Sequence, residues 1–370
     1  MTEDPDLRAR FRGCLLGGAV GDALGAPVEF FSRKQIQEAF GISGIRDFAP
    51  AYGGVGTITD DTQMTLFTAE GLIRSQLKNQ LNPPADPVTE VGRAYQRWLR
   101  TQQAPVDQTV GPTRREGLLL AEPCLYERRA PGSTCLAALA VMESPQEPAF
   151  NDSKGCGGVM RVAPVGLFFH GRLGTDSYER TVLDEGAAMA GLTHGHPAGQ
   201  LAAGTLAAII HGISRGADLQ RAIEAACQDL VEQPGHHETL NAITRALKLT
   251  QQDVPADEAI KALGQGWVAE QALAVALYAC LSAHDFEDAV CMAVNHDGDS
   301  DSTGAITGQI MGALQGVDAI PRRWLRAVEL RELITELADD LLEFRDGQMV
   351  QIEGSGKAFL EQVQARYPVR

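Results

Sequence analysis

Apolar residues recur at spacings of three and four positions along most of the chain, which is the pattern of amphipathic helices. Leu201, Leu206 and Ile209, for example, follow it within one segment. The periodicity predicts helices near residues 8–24, 60–78, 88–101, 177–192, 197–214, 217–231, 238–249, 268–282, 284–294, 300–315 and 327–344. Alternation of polar and β-branched residues is nearly absent, so the sequence predicts an all-α fold without a substantial sheet.

Loops are predicted where Pro, Gly, Asn and Asp cluster, at residues 82–87, 103–113 and 144–158. None of them is long enough, or low enough in complexity, to act as a linker between domains. A chain of 370 residues with 44% hydrophobic residues can bury a substantial core. We therefore predict one compact helical domain over residues 1–370.

Glycine recurs at every fourth position in two distant segments. These glycines are Gly13, Gly17, Gly21 and Gly25 in the first segment and Gly304, Gly308, Gly312 and Gly316 in the second. A spacing of four places each set along one helix face. Because glycine costs roughly 1 kcal/mol per helical position relative to alanine, the pattern favours helices whose backbones pack closely. If these two helices run in opposite directions, Glu29 comes close to Asp299 and Asp301.

The chain is acidic, with 32 Lys and Arg against 48 Asp and Glu and a net charge of −16. No block of basic residues could follow a nucleic-acid backbone, so direct binding of nucleic acid is not expected. Acidity of this kind is typical of cytosolic proteins, where it aids solubility. An anionic substrate would need bound metal or oriented backbone amides to be accepted.

The seven cysteines are scattered, odd in number and without a Cys-x-x-Cys spacing, which argues against a disulfide framework or a zinc site. The first ten residues lack the basic and apolar regions of a signal peptide. The most apolar early stretch, residues 14–28, is too short to span a bilayer. We therefore expect a cytoplasmic protein with no membrane contact.

The first candidate site lies in residues 56–63, where Thr59, Asp60 and Asp61 precede a predicted helix. One interpretation is structural, with Thr59 as the helix cap and the carboxylates favoured by the helix dipole. The other is functional, because a hydroxyl and two carboxylates offer an oxygen-rich set that suits a hard cation. The motif by itself leaves both interpretations open.

The second candidate site lies in residues 295–304, where three aspartates precede another helix start. A calcium-binding EF-hand loop is excluded, because Ser302 stands in place of its required glycine and Gly308 in place of its bidentate carboxylate. Carboxylates this close repel one another unless a cation lies among them. Two acidic helix starts favour one shared binuclear site, and their ligands select Mg²⁺, Mn²⁺ or Ca²⁺ over zinc.

Two further segments carry weaker signals. The glycines of residues 151–161 can point backbone N–H groups at a phosphate, although an ordinary turn before a helix is the simpler interpretation. Cys156 in this segment has no identifiable base beside it, so it is not expected to act as a nucleophile. His194 either contacts a substrate or belongs to a helix junction that ends at Pro197.

Taken together, five motifs resemble those of the ADP-ribosylglycohydrolase family. They are FRGCLLGGAVGDALGAPVEF, TDDTQM, SKGCGGVMRVAPVGL, THGHP and GDSDSTGAITGQIMGA. Each motif alone is modest support, but all five occur in the family's order between Phe11 and about Gly316. The resemblance implies a compact orthogonal bundle of helices with a centre of two Mg²⁺ or Mn²⁺ ions.

The resemblance also implies roles for individual residues. By position in the motifs, the metal ligands are Thr59, Asp60, Asp61, Asp299, Asp301 and Ser302. Serine at 302 replaces the family's usual threonine and keeps its hydroxyl. Glu29 falls beside the metals, and it shares the implied catalytic role with Asp60 and Asp61. The implied ADP-ribose contacts are Ser153, Lys154, Gly155, Cys156, Gly157 and His194.

The implied activity is hydrolysis at the anomeric carbon of the distal ribose, through an oxocarbenium-like state. The substrate is an ADP-ribosylated protein or a small ADP-ribose conjugate. Arginine is the favoured linkage, because the first two motifs look nearest to the bacterial activating-glycohydrolase branch of the family. The alternatives are hydrolysis of ADP-ribose linked to serine or acetyl oxygen, a non-catalytic ADP-ribose binder, and a two-metal phosphohydrolase.

Overall fold

A computed structural model describes residues 5–81, 85–103, 117–171, 181–345 and 363–368. Its helices are α1 (Pro5–Gly25), α2 (Arg33–Phe40), α3 (Asp60–Leu81), α4 (Pro87–Gln103), α5 (Ser133–Val141), α6 (Ala163–Phe168), α7 (Val182–Gly191), α8 (Pro197–Ser214), α9 (Leu219–Val231), α10 (His237–Leu249), α11 (Ala256–Leu263), α12 (Ala269–Ser282), α13 (Phe286–Val294), α14 (Ser300–Gln315), α15 (Arg322–Ala327) and α16 (Arg331–Glu343). A two-stranded hairpin, β1 (Pro50–Ala51) and β2 (Gly54–Val55), is the sheet in these ranges. The predicted all-α fold is confirmed.

The longer helices follow the apolar periodicity closely, and the differences have local causes. The helix predicted over 327–344 is α16, which begins four residues later than predicted, and α15 before it was not predicted. Leu330 between them has a φ of 57°, a left-handed conformation that cannot continue a right-handed helix. The helix predicted near 177–192 is α7, and residues 177–180 lie outside the described part of the chain.

Helices α2, α5, α6, α11 and α15 were not predicted from the periodicity. They contain six to nine residues each. Segments this short make at most two and a half turns, so the spacing of their apolar residues is hard to distinguish from that of a loop. The predicted loop over 103–113 falls almost entirely outside the described residues.

Helices α1 and α14 pack against each other in antiparallel directions through the two glycine series. A Cβ atom added at Gly308 would lie 1.9 Å from the carbonyl oxygen of Gly17, and one added at Gly21 would lie 1.9 Å from that of Gly304. Such distances leave no room for a side chain, so the backbones touch directly. The predicted close packing is confirmed, and it brings the end of α1 to the start of α14.

One large hydrophobic cluster extends from Phe11 to Tyr367, and a smaller one lies among α10, α11 and α12. All seven cysteines are free, as the scattered spacing predicted. Among the described residues, no helix is both long and apolar enough to cross a membrane. The prediction of a single domain over residues 1–370 stays a prediction.

Candidate active site

The starts of α3 and α14 meet the end of α1 at one cleft of about 360 Å³. The carboxylates that line it are Glu29, Asp60, Asp61, Asp299 and Asp301. They come from three segments, and the last of these is more than two hundred residues from the other two. The close packing of α1 on α14 is what unites them, as the glycine spacing indicated. Their roles as ligands and catalysts stay predictions.

Asp22, fully buried in α1, holds the start of α3 in place. Its carboxylate accepts hydrogen bonds from the backbone N–H of Thr59 (3.0 Å), from the hydroxyl of Thr59 (2.9 Å) and from the backbone N–H of Thr62 (3.1 Å). Thr59, a predicted ligand, therefore lies behind the cleft lining. Asp22 was missed as a functional residue, and its only signal in the sequence is an acid within a Gly-rich apolar helix.

A second set of contacts fixes the two residues on either side of Thr59. Arg129 donates to the carbonyl oxygen of Ile58 (2.9 Å) and forms an ion pair with Glu329. The carboxylate of Asp60 accepts a hydrogen bond from the backbone N–H of Gly132 (3.1 Å). The start of α3 is thus held from three directions, which fixes the position of its carboxylates.

The start of α14 is held by its own aspartates. Asp299 and Asp301 both accept from the backbone N–H of Ser302, at 3.3 and 3.0 Å. The backbone N–H of Asp299 donates to the carbonyl oxygen of Gln265 (2.8 Å). The thiol of Cys156 donates to the Asp299 carboxylate at 2.7 Å. Cys156 therefore touches the carboxylate cluster, a contact that the sequence did not predict.

Burial and mutual repulsion make these carboxyl groups costly to ionise. Burial and the charges of Asp301 and Asp299 raise the pKa of Glu29 to about 10. Burial and the charge of Asp301 raise the pKa of Asp22 to about 7. Burial also raises the pKa of Asp61 well above its usual range. A cation bound among these groups would favour the ionised form of each and lower its pKa.

The donor set fits divalent cations such as Mg²⁺ and Mn²⁺. Glu29 Oε2 and Asp61 Oδ1 are buried and have no hydrogen-bond partner, yet both side chains line the cleft. Oxygen donors of this kind are those that hard cations prefer. Among the described residues, however, no three His, Cys, Asp or Glu side chains are arranged to hold one ion. The donor atoms therefore suit a divalent cation, but the described side chains do not surround a single ion position.

The opposite wall of the cleft is formed by Gly155, Gly157 and His194. A Cβ atom at Gly157 would lie 3.2 Å from His194 Cε1 and 2.8 Å from Cys135 Sγ, so the imidazole packs on bare backbone. His194 Nδ1 shares a 2.8 Å hydrogen bond with the hydroxyl of Thr193. Burial lowers the pKa of His194 to about 3, so the ring is neutral at physiological pH.

Arg161 is a fully buried cation behind this wall, and the sequence analysis did not identify it. Its guanidinium donates to the hydroxyl of Thr193 (2.7 Å) and lies 4.2 Å from the centre of the Tyr95 ring. Thr193 in turn contacts His194, so Arg161 positions the histidine through one intermediate. The only signal in the sequence was its place just after the Gly-rich segment.

Two of the predicted substrate contacts lie outside the cleft lining. Lys154 forms ion pairs with Glu238 and with Glu270, the latter at 2.8 Å. The hydroxyl of Ser153 lies 3.0 Å from that of Thr134. The geometry therefore supports Gly155, Cys156, Gly157 and His194 as contacts better than it supports Ser153 and Lys154.

A larger cavity of about 690 Å³ lies between α3 and α4, away from the carboxylates. Its wall contains Arg74 and Arg97, which pair with the buried Glu70, and Lys78 and Arg93, which pair with Glu90. Each of these cations is already engaged in an ion pair within the protein, two to each carboxylate. The candidate active site is therefore the smaller cleft, where buried carboxyl oxygens of Glu29 and Asp61 have no hydrogen-bond partner.

Comparison with known proteins finds a family match over most of the chain. A family model described as ADP-ribosylglycohydrolase matches residues 3–350. The ADP-ribosyl-dinitrogen reductase glycohydrolase of Rhodospirillum rubrum is 29% identical over 88% of this chain and 92% of its own length. The ADP-ribosylarginine hydrolase Tri1 of Pseudomonas putida is 27% identical over 90% of this chain and 78% of its own length.

The fold is also shared with a solved structure. A chain described as an ADP-ribosylglycohydrolase-related protein complex superposes with a TM-score of 0.65 at 28% identity. The match covers 92% of this chain and 99% of the other. The protein belongs to the ADP-ribosylglycohydrolase family, whose members hydrolyse a glycosidic bond to ADP-ribose.

Proposed function

We propose that this enzyme releases ADP-ribose from modified arginine side chains of a target protein, with two Mg²⁺ or Mn²⁺ ions as cofactors. The observation that carries the proposal is the convergence of two acidic helix starts and Glu29 on one cleft. Buried oxygens of Glu29 and Asp61 without a hydrogen-bond partner also support it, because such oxygens are suited to a cation. The ions would be held by Thr59, Asp60, Asp61, Asp299, Asp301 and Ser302.

Arginine as the linkage rests on similarity to named relatives. The relative from Pseudomonas putida is named an ADP-ribosylarginine hydrolase. The relative from Rhodospirillum rubrum is named for ADP-ribosyl-dinitrogen reductase, which is a modified protein. These names describe those proteins, and their identities of 27% and 29% support arginine here as a proposal.

In this mechanism the chain's own residues orient the sugar and move protons. Divalent ions bound at the cluster would supply Lewis acidity and would activate a water. Glu29 lines the cleft with a free Oε2, so it is placed to exchange a proton with that water or with the leaving nitrogen. Asp61 Oδ1 is also free, whereas Asp60 Oδ2 is engaged by Gly132. Glu29 and Asp61 are thus the better placed of the three candidates for proton transfer.

The glycine wall binds the diphosphate and ribose of ADP-ribose in this proposal. Gly155 and Gly157 have no side chains to obstruct a phosphate, and neutral His194 can share a hydrogen bond with a ribose hydroxyl. Arg161 adds a positive charge close behind the wall. These features let a chain with a net charge of −16 accept an anionic ligand.

The proposal is tested by analysing the products from ADP-ribose linked to arginine, serine and an acetyl group. We expect intact ADP-ribose from the arginine conjugate, with Mg²⁺ or Mn²⁺ present and not after chelation. Release of ADP-ribose from the oxygen-linked conjugates alone would show that the enzyme hydrolyses O-linked ADP-ribose instead. Release of inorganic phosphate would indicate a phosphohydrolase, and binding of ADP-ribose with no product from any conjugate would indicate a non-catalytic binder.

The metal-free protein is expected to lose stability as the pH rises. Folding raises the pKa of Glu29 from 4.5, the value of an unperturbed group, to about 10. It raises the pKa of Asp22 from 3.8 to about 7. Since both values are raised by folding, their stabilisation is complete below about pH 4 and is lost as the pH rises through the folded values. Each extra proton held by the folded state contributes a slope of about 1.4 kcal/mol per pH unit.

Thermal unfolding between pH 5 and pH 8, with a chelator and with Mn²⁺, checks this expectation. The unfolding temperature should fall with pH in the chelator and much less with Mn²⁺, because ligand binding to the folded state raises stability. At a concentration a hundred times the dissociation constant, the gain is about 2.7 kcal/mol. A metal effect that is absent at pH 8, where the carboxylates ionise most readily, contradicts the proposed ligands.

A further inference from the structure

Two exposed aromatic rings stand at the mouth of the cleft. Phe30 is 70% exposed and Trp267 is 39% exposed, and both line the cleft. Their rings are stacked with centroids 5.9 Å apart and planes inclined by 18°. The other two tryptophans of the chain, Trp98 and Trp324, are buried in the core. Exposed rings of this size lose favourable free energy by facing water, so the pair is suited to cover a ligand.

The aromatic pair lies on the carboxylate side of the cleft. Phe30 directly follows Glu29, which also lines the cleft. Gly266, which directly precedes Trp267, packs against Asp299. A Cβ atom added at Gly266 would lie 3.3 Å from the Cβ atom of Asp299. The rings therefore stand above the groups that carry the proposed chemistry.

The backbone around Trp267 is fixed from both sides. Its carbonyl oxygen accepts a hydrogen bond from the backbone N–H of Cys156 (3.2 Å), and the N–H of Ala269 donates to the carbonyl oxygen of Lys154 (2.8 Å). On the other side, the N–H of Asp299 donates to the carbonyl oxygen of Gln265 (2.8 Å). The loop that carries Trp267 thus spans the two walls of the cleft, and the ring is positioned before any ligand arrives.

We propose that Phe30 and Trp267 form the subsite for the leaving group, and that this subsite selects a guanidinium cation. This inference rests on the proposed function. A modified side chain stays attached to its protein, so it must reach the anomeric carbon from the mouth, where the two rings stand. A guanidinium can lie on the outer face of either ring, within the range of about 6 Å in which cations bind aromatic faces.

The charge around the rings also favours a cation. Five carboxyl groups line the same cleft as the rings, which are Glu29, Asp60, Asp61, Asp299 and Asp301. A neutral serine or acetyl leaving group lacks the positive charge that aromatic faces attract. The subsite therefore discriminates between leaving groups and leaves the ADP-ribose moiety unaffected.

The test compares Phe30→Leu and Trp267→Leu with wild type on arginine-linked and serine-linked ADP-ribose. We expect kcat/KM for the arginine conjugate to fall about tenfold in each variant, and that for the serine conjugate to change less than about twofold. The affinity for free ADP-ribose should stay the same, and Trp267→Phe should restore most of the lost activity. Phe40→Leu, at an aromatic residue exposed to 38% on α2, is the matched control and should behave as wild type.

Equal losses on both conjugates, together with weaker ADP-ribose binding, would show that the rings contact the nucleotide and would overturn the inference. No loss in either variant would also overturn it. A folding defect is checked by the unfolding temperature, which should be unchanged because both rings are exposed.

A second readout does not depend on turnover. Agmatine, a free guanidinium compound, is added to protein saturated with ADP-ribose while tryptophan fluorescence is followed. We expect a change in wild type that is absent in Trp267→Leu, against the constant background of buried Trp98 and Trp324. If no conjugate is hydrolysed but agmatine still gives this change, the proposed function fails and the subsite stands. If arginine conjugates are hydrolysed but agmatine gives no change, the subsite fails and the function stands.

Discussion

Replacing Asp301 with alanine is expected to reduce kcat by at least about 1,000-fold while the protein stays folded. Asp301 lines the cleft, and its charge is a leading cause of the raised pKa of Glu29. Removing it deletes a proposed ligand and also relieves repulsion within the cluster. The metal-free variant should therefore unfold at the same temperature as wild type or higher, whereas Mn²⁺ should stabilise it less.

The matched control for this variant is Asp297→Asn, in the loop that leads into α14. Asp297 accepts a hydrogen bond from the backbone N–H of Arg33 (2.7 Å) and does not line the active-site cleft. Its replacement should leave kcat within about threefold of wild type, because this carboxylate is not expected to contact the metals or the substrate. If Asp297→Asn and Asp301→Ala reduced kcat equally, the loop would matter for folding and the proposed ligand role would be lost.

Gly308→Ala is expected to destabilise the protein by at least about 3 kcal/mol. Helix propensity alone predicts the opposite, a gain of roughly 1 kcal/mol. The new Cβ atom, however, would lie 1.9 Å from the carbonyl oxygen of Gly17, and a backbone atom cannot rotate away as a side chain can. The helices would have to separate, which would also move Glu29 away from Asp299. Urea denaturation measures the loss, and activity should fall with it.

Gly191→Ala, at the end of α7, is the control for this substitution. The nearest atom to a Cβ there is Gln200 Nε2 at 3.4 Å, an ordinary contact with a flexible side chain. The stability of this variant should stay within about 0.5 kcal/mol of wild type. If the two alanine variants were equally stable, the close approach of α1 and α14 would be wrong.

The glycine spacing and the acidic helix starts were sufficient to predict which helices meet at the candidate site. Four-residue glycine spacing predicted how α1 meets α14, because only closely packed helices need bare faces at that period. Once these helices are antiparallel, Glu29 must lie near Asp299. The acidic starts of α3 and α14 were likewise visible as carboxylates ahead of apolar helical patterns.

Contacts made between distant, unpatterned residues could not be predicted. Phe30 and Trp267 are far apart in sequence and stack only because two loops meet. The ion pair between Lys154 and Glu270 on α12 likewise joins residues more than one hundred positions apart. The break at Leu330 depends on a backbone conformation that no residue type there signals, since leucine rarely adopts positive φ.

The central claim is that the aspartates of α3 and α14 share a pair of cations. Anomalous diffraction from crystals soaked in Mn²⁺ tests it most directly. We expect two manganese peaks in the cleft. Each ion should have ligands from residues 59–61 or 299–302, and at least one ion should be bound by residues from both helix starts. Manganese at one helix start alone, or none in a soaked crystal with both carboxylate groups ordered, would contradict it.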